Sequence, residues 1–418
     1  MIFHYFKIAF RNLCKHKTQN IISIIGLAVG LLCFCVCIYC SRFVESTDHC
    51  FANHDRIAEL NLYDGKADRY FSGSPVPLAE DLRTWALGET EAISSVTYPR
   101  ERPYYVELSP EKTLPYELET IEIDTCYNKI FTPEMVAGHW KMASQSLNSV
   151  ILSQSMAIKI FGNAESAIGK HMTLMRRLNT SPESTPKTGG IVYTIQAVMK
   201  DIPLNNSLDF MQNIDMLTVN DSEGLLQSPK RHNMTGANTY ALLSPQTTCT
   251  DLEKQFSKRD YTYTLYGEAY TVTASSMGAR LKKQGASYLG LVTGTVGTLI
   301  LLVGLINFFH FLIGSFFNRT KEYSIMKMIG CNWKQLFCLL FTQSLIVISI
   351  SSILVLSGIE LLGNHMNFSL PGFAMTFTSE TLLIHALQYI VLLIILCVLI
   401  CLSVSIRIRR ITVQTGIY

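Results

Sequence analysis

The side chains best suited to chemistry in this sequence are a run of carboxylates and a lysine that follows a glycine-containing string. The string runs from Gly162 to Gly169-Lys170-His171. Its spacing differs from Gly-x-x-x-x-Gly-Lys-Ser/Thr and it ends in His, so we do not expect it to bind phosphate. The carboxylates alternate along a strand-like stretch, which is typical of the solvated face of an edge strand. They are Glu117, Glu119, Glu122 and Asp124.

No motif of known catalytic chemistry accompanies them. The sequence contains no Gly-x-Ser-x-Gly nucleophile elbow and no His-Glu-x-x-His zinc motif. Most of its 12 cysteines lie in apolar runs, where a free thiol behaves as a small hydrophobic group. We therefore predict no catalytic residue, no metal site and no cofactor. Energy for any work that the chain performs would come from a partner.

Three cysteines lie in the large polar segment of the chain: Cys50, Cys126 and Cys249. Their number is odd and their spacing is wide, so they do not indicate a disulfide framework. The sequence leaves open whether two of them form a disulfide.

Four apolar runs make up the elements that must position all these residues. About 20 consecutive apolar residues cross the hydrocarbon core of a bilayer. The runs that meet this requirement are residues 21–40, 288–313, 336–362 and 382–404. The polar parts are residues 1–20, 41–287, 314–335, 363–381 and 405–418. The sequence thus predicts a membrane α-helical unit of four transmembrane helices, with a large extracytoplasmic α+β domain inserted between helices 1 and 2.

The distribution of Lys and Arg predicts the orientation in the membrane. Residues 1–20 contain four bases and no acid, the 314–335 loop contains four bases and one acid, and the tail contains three arginines and no acid. The 41–287 segment contains more acids than bases. Short basic loops stay on the cytoplasmic side. We therefore expect a multi-pass protein of the bacterial inner membrane with both termini cytoplasmic, and we expect no nucleic acid as a partner.

The N-terminal residues 1–20 have the pattern of a cytoplasmic amphipathic helix. Phe3, Phe6, Phe10 and Leu13 recur on one side, and bases recur on another. Such a helix lies in the interface of the lipid bilayer. The alternative is a basic flank that only sets the topology.

Small residues four apart occur in the first two spans: Gly26 with Gly30, and Gly290 with Gly294. This spacing allows two helices to approach closely in lipid, so we expect these glycines at helix-packing faces. The partner helix could belong to the same chain or to a second subunit. The ionisable residues of the spans lie near the ends, which predicts no proton relay and no polar interior.

The 41–287 segment has an α+β texture. Stretches rich in Ile, Val, Thr and Tyr predict strands, and apolar residues at helical spacing predict helices. The predicted strands are residues 119–124, 149–152, 192–198 and 239–243. The predicted helices are residues 77–85, 132–137 and 153–161.

Several stretches, taken in chain order, resemble the permease subunits of MacB/FtsX-type ABC transporters over essentially the whole chain. Residues 6–13 and 25–30 resemble the family's entry helix and first span. The stretches that resemble its external core domain are residues 131–142, 148–153, 157, 161–162, 168–170, 193–198, 201–203 and 206–207. The loop 319–330, Arg-Thr-Lys-Glu-Tyr-Ser-Ile-Met-Lys-Met-Ile-Gly, resembles the loop that opens the family's C-terminal three-span unit. Only 20 residues precede the first span, so we expect the ATPase to be a separate subunit.

The resemblance implies a permease subunit of a mechanotransmission-type ABC transporter. A cytoplasmic ABC ATPase would drive motion of the MacB-like periplasmic domain, for export or extraction of a peptide, lipoprotein, lipid or drug. A second permease chain would complete the membrane part as a homo- or heterodimer, and a periplasmic adaptor is compatible with this arrangement. The ATPase would dock on the 314–335 coupling loop, at Arg319, Lys321, Glu322, Ile325, Met326, Lys327, Met328 and Gly330.

Three alternatives stay open at this point. The coupling loop could be an interfacial helix that only covers headgroups. The chain could be an FtsX-like signal transducer that regulates a periplasmic partner and transports nothing. It could also be a sensor or anchor protein outside the ABC class, with no nucleotide-dependent partner. No motif in the sequence identifies a substrate.

Overall fold

The chain forms two compact units in a computed structural model. One unit, the membrane unit, comprises residues 1–45, 285–370 and 374–418, and the other, the outer domain, comprises residues 46–284 and 371–373. The structure describes all residues except 1, 16, 72, 86, 110–111, 175–189, 209–210, 212, 223, 228–234, 260–261, 266–267, 280–281, 283–284, 318–321, 323–324, 327, 366, 371–372, 377–378 and 411–418.

Long helices form the membrane unit. With labels numbered along the whole chain, they are α1 (Ile2–Lys15), α2 (Lys17–Glu45), α8 (Ala286–Phe317), α9 (Trp333–His365) and α10 (Ser379–Arg410). Two short strands, β15 (Asn367–Leu370) and β16 (Phe373–Thr376), pair with each other between α9 and α10.

Four of these helices are long and apolar enough to cross a membrane. The candidate spans are Lys17–Glu45, Tyr288–Gly314, Trp333–Leu361 and Leu382–Ile406. A large, sheet-rich α+β domain lies between the first and the second. The predicted fold class is therefore confirmed.

The outer domain consists of one extended sheet system with short helices. Its strands are β1 (Ile57–Asp64), β2 (Arg69–Tyr70), β3 (Ser74–Pro75), β4 (Thr90–Thr97), β5 (Arg100–Ser109), β6 (Lys112–Ile123), β7 (Met135–Gly138), β8 (Ser149–Ser153), β9 (His171–Leu174), β10 (Val192–Met199), β11 (Met216–Val219), β12 (Thr235–Leu243), β13 (Thr262–Leu265) and β14 (Glu268–Ser276). Its α-helices are α3 (Leu78–Thr84), α4 (Tyr127–Phe131), α5 (Trp140–Gln145), α6 (Gln154–Phe161) and α7 (Cys249–Lys258).

One part of this sheet closes on itself. The strands pair in the order β6, β11, β8, β10, β9 and β5, and β5 pairs with β6 again. The pairs β6–β11 and β8–β10 are parallel, and the others in the ring are antiparallel. Closure removes the exposed edges that an open sheet of this size would present. The enclosed core includes Tyr104, Leu118, Val150, Met172 and Tyr193.

The sheet then continues from β6 through β4, β12, β1 and β14 to β13. Helices α3 and α7 pack on this part, because each presents an apolar side to it. Leu78 and Leu82 of α3 and Phe256 of α7 are buried with Leu60 and Leu62 of β1 in one core.

One predicted element is wrong. Residues 132–137 do not form a helix: α4 ends at Phe131, and Met135–Gly138 form strand β7. Thr132 takes a left-handed conformation with φ of 42°, which ends the helix. Pro133 follows and has no backbone N–H to donate. Strand β7 then pairs antiparallel with β10, a long-range contact that helical spacing of apolar residues does not reveal.

The β7–β10 contact requires a glycine at position 138. Gly138 has φ of +72°, and a Cβ there would overlap the carbonyl oxygen of Gln196 and lie 2.8 Å from the Cα of Ala197. We expect Gly138→Ala to destabilise the outer domain by about 2 kcal/mol, from backbone strain and steric overlap. Thermal unfolding of the purified full chain measures this. The matched control is Gly88→Ala, because a Cβ at Gly88 meets nothing within 4 Å. Equal stability of the two variants would contradict the assigned contact.

Candidate functional site

The coupling loop predicted from the sequence lies between α8 and α9. Its described residues are Glu322, Ile325, Met326 and residues 328–332, which we call the docking segment. Glu322, Ile325, Met326 and Met328 have helical backbone conformation. The predicted site residues Arg319, Lys321 and Lys327 lie outside the described part of the chain.

The docking segment presents apolar side chains to the surface. Ile325 is 50% exposed, Met328 is 54% exposed and Ile329 is 82% exposed. Met326 points the other way and packs against the apolar core that contains Leu336. Among the described residues, the segment therefore has Met326 packed into the membrane unit and an apolar face that is exposed.

The end of the segment is fixed by backbone geometry. Gly330 has φ of +95°, a conformation that favours glycine. The backbone N–H of Cys331 donates to the carbonyl oxygen of Met326 at 2.9 Å. The N–H of Asn332 donates to the side chain of Gln335 at 2.9 Å, and the N–H of Gln335 donates back to the carbonyl of Asn332 at 3.0 Å. These contacts hold the segment against the first turn of α9.

The N-terminal helix α1 packs against the docking segment and the first turns of α9. Ala9 is fully buried, and Ile8 packs on the core that also receives Met326. The ammonium group of Lys15 lies 3.7 Å from the carboxylate of Glu322. Phe6 and Phe10 remain exposed, with ring centroids 6.5 Å apart. Helix α1 thus has a face on the protein in addition to the apolar face that the sequence assigns to lipid.

Glycines line the contact between α2 and α8, which we call the glycine seam. A Cβ on Gly30 would lie 3.5 Å from the Cα of Gly304, so the two backbones are in near contact. A Cβ on Gly26 would overlap the amide of Asn307. Farther along, Gly290 faces Val44 and Gly294 faces Ser41. The structure therefore brings Gly26, Gly30, Gly290 and Gly294 to one interface within a single chain.

Helix α9 packs on another side of α2 through small residues seven apart. They are Ser351 and Gly358. A Cβ on Gly358 would lie 3.0 Å from the side chain of Leu32, and the hydroxyl of Ser351 donates to the carbonyl oxygen of Ile24 at 3.1 Å. A spacing of seven keeps such residues on one face of a left-handed helix pair.

The membrane unit contains more buried polar side chains than the sequence indicates. Asn20, Ser23, Gln343 and Ser344 are buried among the helices, in addition to Ser351. The expectation of an apolar interior is therefore wrong at these positions. The sequence shows that Ser and Gln in a span are polar, but it does not show whether they face lipid or protein. Only the packing of the helices shows that these residues face protein. None of these residues is ionisable.

The alternating acids of the outer domain are also placed differently from the expectation. Strand β6 is an interior strand, paired with β5, β11 and β4. Glu117 is exposed, but Glu122 is buried at 5% exposure. The pKa of the Glu122 carboxyl is raised to about 7, chiefly by burial and also by the nearby Asp221, although hydrogen bonds from two backbone N–H groups and the charge of Arg102 lower it.

The cysteines of the outer domain are free thiols. Cys50, Cys126 and Cys249 form no disulfide. The guanidinium of Arg83 donates to the sulfur of Cys126 at 3.2 Å and to Asp124 at 3.1 Å. Within the described residues, no group of three or more His, Cys, Asp or Glu side chains could hold a metal ion.

Comparison with known proteins identifies the C-terminal helices. Residues 294–413 match the model of a family described as FtsX-like permease C-terminal. No curated protein matches the chain in sequence.

Three solved structures are similar to the chain at low scores. A domain of a putative permease protein from Porphyromonas gingivalis has 20% identity and a TM-score of 0.41, and the match covers 54% of this chain and 93% of that chain. The periplasmic region of MacB from Actinobacillus actinomycetemcomitans has 13% identity and a TM-score of 0.37, covering 58% and 96%. The extracellular domain of the noncanonic ABC-type transporter YknZ from Gram-positive bacteria has 14% identity and a TM-score of 0.29, covering 52% and 99%.

The family match confirms the predicted resemblance to the MacB/FtsX-type permeases. It shows that the chain carries an FtsX-like permease domain of the ABC-transporter type, in a protein with four candidate membrane spans. The match includes most of α8 and all of α9 and α10, and therefore the docking segment between them.

The glycine seam makes a size-dependent prediction at position 30. A Cβ on Gly30 would be in ordinary contact with Gly304, so Gly30→Ala should leave stability nearly unchanged. Gly30→Leu adds atoms where the two backbones meet, and we expect it to cost about 2 kcal/mol by overpacking. The measurement is thermal unfolding of the full chain in lipid nanodiscs. Val29→Leu, on the exposed side of α2, is a control for added volume. A tolerated Gly30→Leu would show that α2 and α8 do not pack as described.

Proposed function

We propose that this chain is the permease subunit of a mechanotransmission-type ABC transporter and that a separate cytoplasmic ATPase binds its docking segment. The observation that carries the proposal is the exposed apolar face of that segment, with Ile325, Met328 and Ile329, on a loop whose flanking bases predict a cytoplasmic location. An apolar face with a charged rim suits a helix that lies in a groove of a partner protein. The family match to residues 294–413 supports an ATPase as that partner.

Contacts on the buried side of the docking segment favour a role in transmitting force. Met326 and Ile8 join one apolar core with the first turns of α9, and Lys15 pairs with Glu322. A push on the exposed face would therefore be received by α1 and α9 together. An interfacial helix that only covers headgroups needs no such support.

The route from the membrane unit to the outer domain is through α2 and α8. The chain enters the outer domain after α2 and leaves it before α8. The glycine seam holds these two helices at backbone contact. In the proposed mechanism, ATP binding closes two ATPase subunits, which move two permease chains, and each α2–α8 pair carries the motion outward. The substrate is then handled by the outer domain, for export or extraction.

Orientation is part of the proposal. Both termini and the docking segment would be cytoplasmic, and the outer domain would be periplasmic in a bacterial inner membrane. The charge distribution around the spans supports this, because all three short basic segments are on one side of a four-span topology.

Substitutions in the docking segment test the ATPase contact. We expect Met328→Glu with Ile329→Glu to reduce co-purification of an ABC ATPase at least tenfold, because each buried apolar side chain of this size contributes roughly 1.5–3 kcal/mol to an interface. The double substitution Lys321→Glu with Lys327→Glu should also reduce ATPase co-purification, because it reverses charges at the rim of the contact. Tagged full-length chain is purified from native membranes, and its ATPase content is measured by quantitative mass spectrometry.

The matched control is Leu147→Glu, which changes an apolar residue of the outer domain whose exposure of 71% lies between those of Met328 and Ile329. It should leave ATPase co-purification unchanged. Undiminished ATPase recovery with both docking variants, at normal membrane insertion, would exclude the docking segment as the contact.

A further inference from the structure

A buried acid in an uncommon backbone conformation lies just after α2 in the chain, at the start of the outer domain. Asp48 has φ of 70°, in the left-handed region that few residues other than glycine adopt. The residue is buried. Such a conformation persists where the surrounding contacts hold the residue in place. The contacts of Asp48 therefore show which segments depend on it.

Both the backbone and the side chain of Asp48 bind the loop that follows β10, residues 200–208, which we call the β10 loop. The backbone N–H of Asp48 donates to the carbonyl oxygen of Asn205 at 3.0 Å, and one carboxylate oxygen accepts from the N–H of Ser207 at 2.6 Å. The side-chain amide of Asn205 donates to the carbonyl oxygen of Ser46 at 3.3 Å. Residues 46–48, which we call the entry turn, are thus bound to this loop at both ends.

The other carboxylate oxygen of Asp48 faces the turn that precedes α8 in the chain. A Cβ on Gly278 would lie 2.9 Å from this oxygen, closer than real side chains come, so the approach requires glycine. We call residues 277–278 the exit turn. Phe51, Leu208 and Met277 are buried in one apolar core. The entry turn, the β10 loop and the exit turn therefore meet at Asp48.

Hydrogen bonds of the β10 loop fix its shape and join it to the closed ring of strands. The buried side chain of Asn206 donates to the carbonyl oxygen of Pro203 at 2.6 Å and accepts from the N–H of Leu208 at 2.9 Å. Near the start of the loop, Asp201 accepts from the backbone N–H of Ser155 at 3.1 Å and from its hydroxyl at 3.0 Å. Ser155 belongs to α6, which packs in the core of the ring. The loop thus connects Asp48 to the ring.

The ring needs such a connection because it is remote from both turns in the chain. Strand β1 begins at Ile57, shortly after the entry turn, and β14 ends at Ser276, beside the exit turn. These two strands are joined to the turns by the chain itself. The ring strands β5, β6 and β8–β11 all lie between residues 100 and 219. Contacts in the folded chain must therefore couple the ring to the turns.

We propose that Asp48 is a positioning residue that ties the entry turn and the exit turn to the β10 loop, so that movement of the two turns is delivered to the closed ring through this loop. The tie is a property of the folded chain alone. The claim that ATP-driven movement of α2 and α8 enters the ring here rests on the function proposed above.

Two variants at position 48 test the tie. Asp48→Gly suits the left-handed backbone and removes the carboxylate, whereas Asp48→Asn tolerates this backbone and keeps an acceptor oxygen. Hydrogen exchange of single amides is measured by mass spectrometry on the full-length protein in nanodiscs. We expect the protection factor of the Ser207 amide to fall at least tenfold in Asp48→Gly and less than about threefold in Asp48→Asn. Gln246→Gly, at an exposed turn residue with φ of 68°, is the control for the added glycine.

Two results would overturn the tie. One is Ser207 protection in Asp48→Gly that equals that of the wild type. The other is a loss of protection that is as large in β13 and β8 as at Ser207, because that pattern is a general loss of stability. If Asp48→Gly does not fold, the exit-turn variant described next replaces it.

Gly278→Ala tests the contact between the exit turn and Asp48. Its Cβ would strain the backbone and also displace the carboxylate. Gly169→Ala is the matched control, because Gly169 has φ of +78°, close to the +72° of Gly278, and its Cβ would meet nothing within 4 Å. We expect Gly278→Ala to lower Ser207 protection at least threefold more than Gly169→Ala does. In the Asp48→Gly background this difference should fall below about twofold. Equal effects of the two alanine variants in the wild-type background would exclude the contact.

Delivery of movement is measured separately, on the assembly purified with its ATPase from native membranes. ATP with Mg²⁺ should change hydrogen exchange in β10 of the wild type and of Asp48→Asn, but not of Asp48→Gly, while all three hydrolyse ATP. A change in β10 that persists in Asp48→Gly would overturn delivery through the β10 loop. If ATP changes nothing in the wild-type outer domain, the proposed function is wrong, and Ser207 protection without ATP still decides whether the tie exists.

Discussion

The close approach of α2 and α8 is the constraint on which the rest of this molecule depends. Helix α2 ends at Glu45 and α8 begins at Ala286, so the two helices flank the 46–284 segment in sequence. Gly30 and Gly304 allow their backbones to touch in the middle, and Gly290 and Gly294 allow contact with Val44 and Ser41 near the outer domain's attachment points in sequence. In lipid, helix association depends on such packing, since apolar burial gives no preference for protein over lipid tails. Larger side chains at these positions would separate the two attachments of the outer domain.

Polar groups are buried in both units, but in different chemical forms. In the membrane unit they are amides and hydroxyls, such as Asn20, Gln343 and Ser351, which stay neutral and can bond a neighbouring helix. In the outer domain they include the carboxylates of Glu122 and Asp221. A buried carboxylate is costly unless it is paired or hydrogen-bonded, and each of these has at least two donors.

Much of the fold could be predicted because its signals are local. The four spans follow from long apolar runs, and strands 149–152 and 192–198 follow from Val and Ile content, within a residue or so of β8 and β10. The resemblance at residues 319–330 predicted where the docking segment lies in the sequence. The predictions from sequence are wrong where long-range strand pairing determines the local structure. Residues 135–138 form strand β7 because β10 lies beside them, and Glu122 is buried because β6 is an interior strand. The glycine pairs were visible as a motif, but their partner was not, since spacing alone does not distinguish contact within a chain from contact between chains.

A covalent link between α2 and α8 tests the central claim that they move as one body. A Cβ on Gly294 would lie 3.5 Å from the Cβ of Ser41, a separation that a disulfide can bridge. The measurement is ATP turnover of the assembled transporter carrying Ser41→Cys and Gly294→Cys, oxidised and then reduced, compared with each single variant. The account predicts that the oxidised pair forms in high yield and keeps the turnover of the reduced protein. Turnover that stops on oxidation and returns on reduction would show that the two helices separate during the cycle, and the account would be wrong.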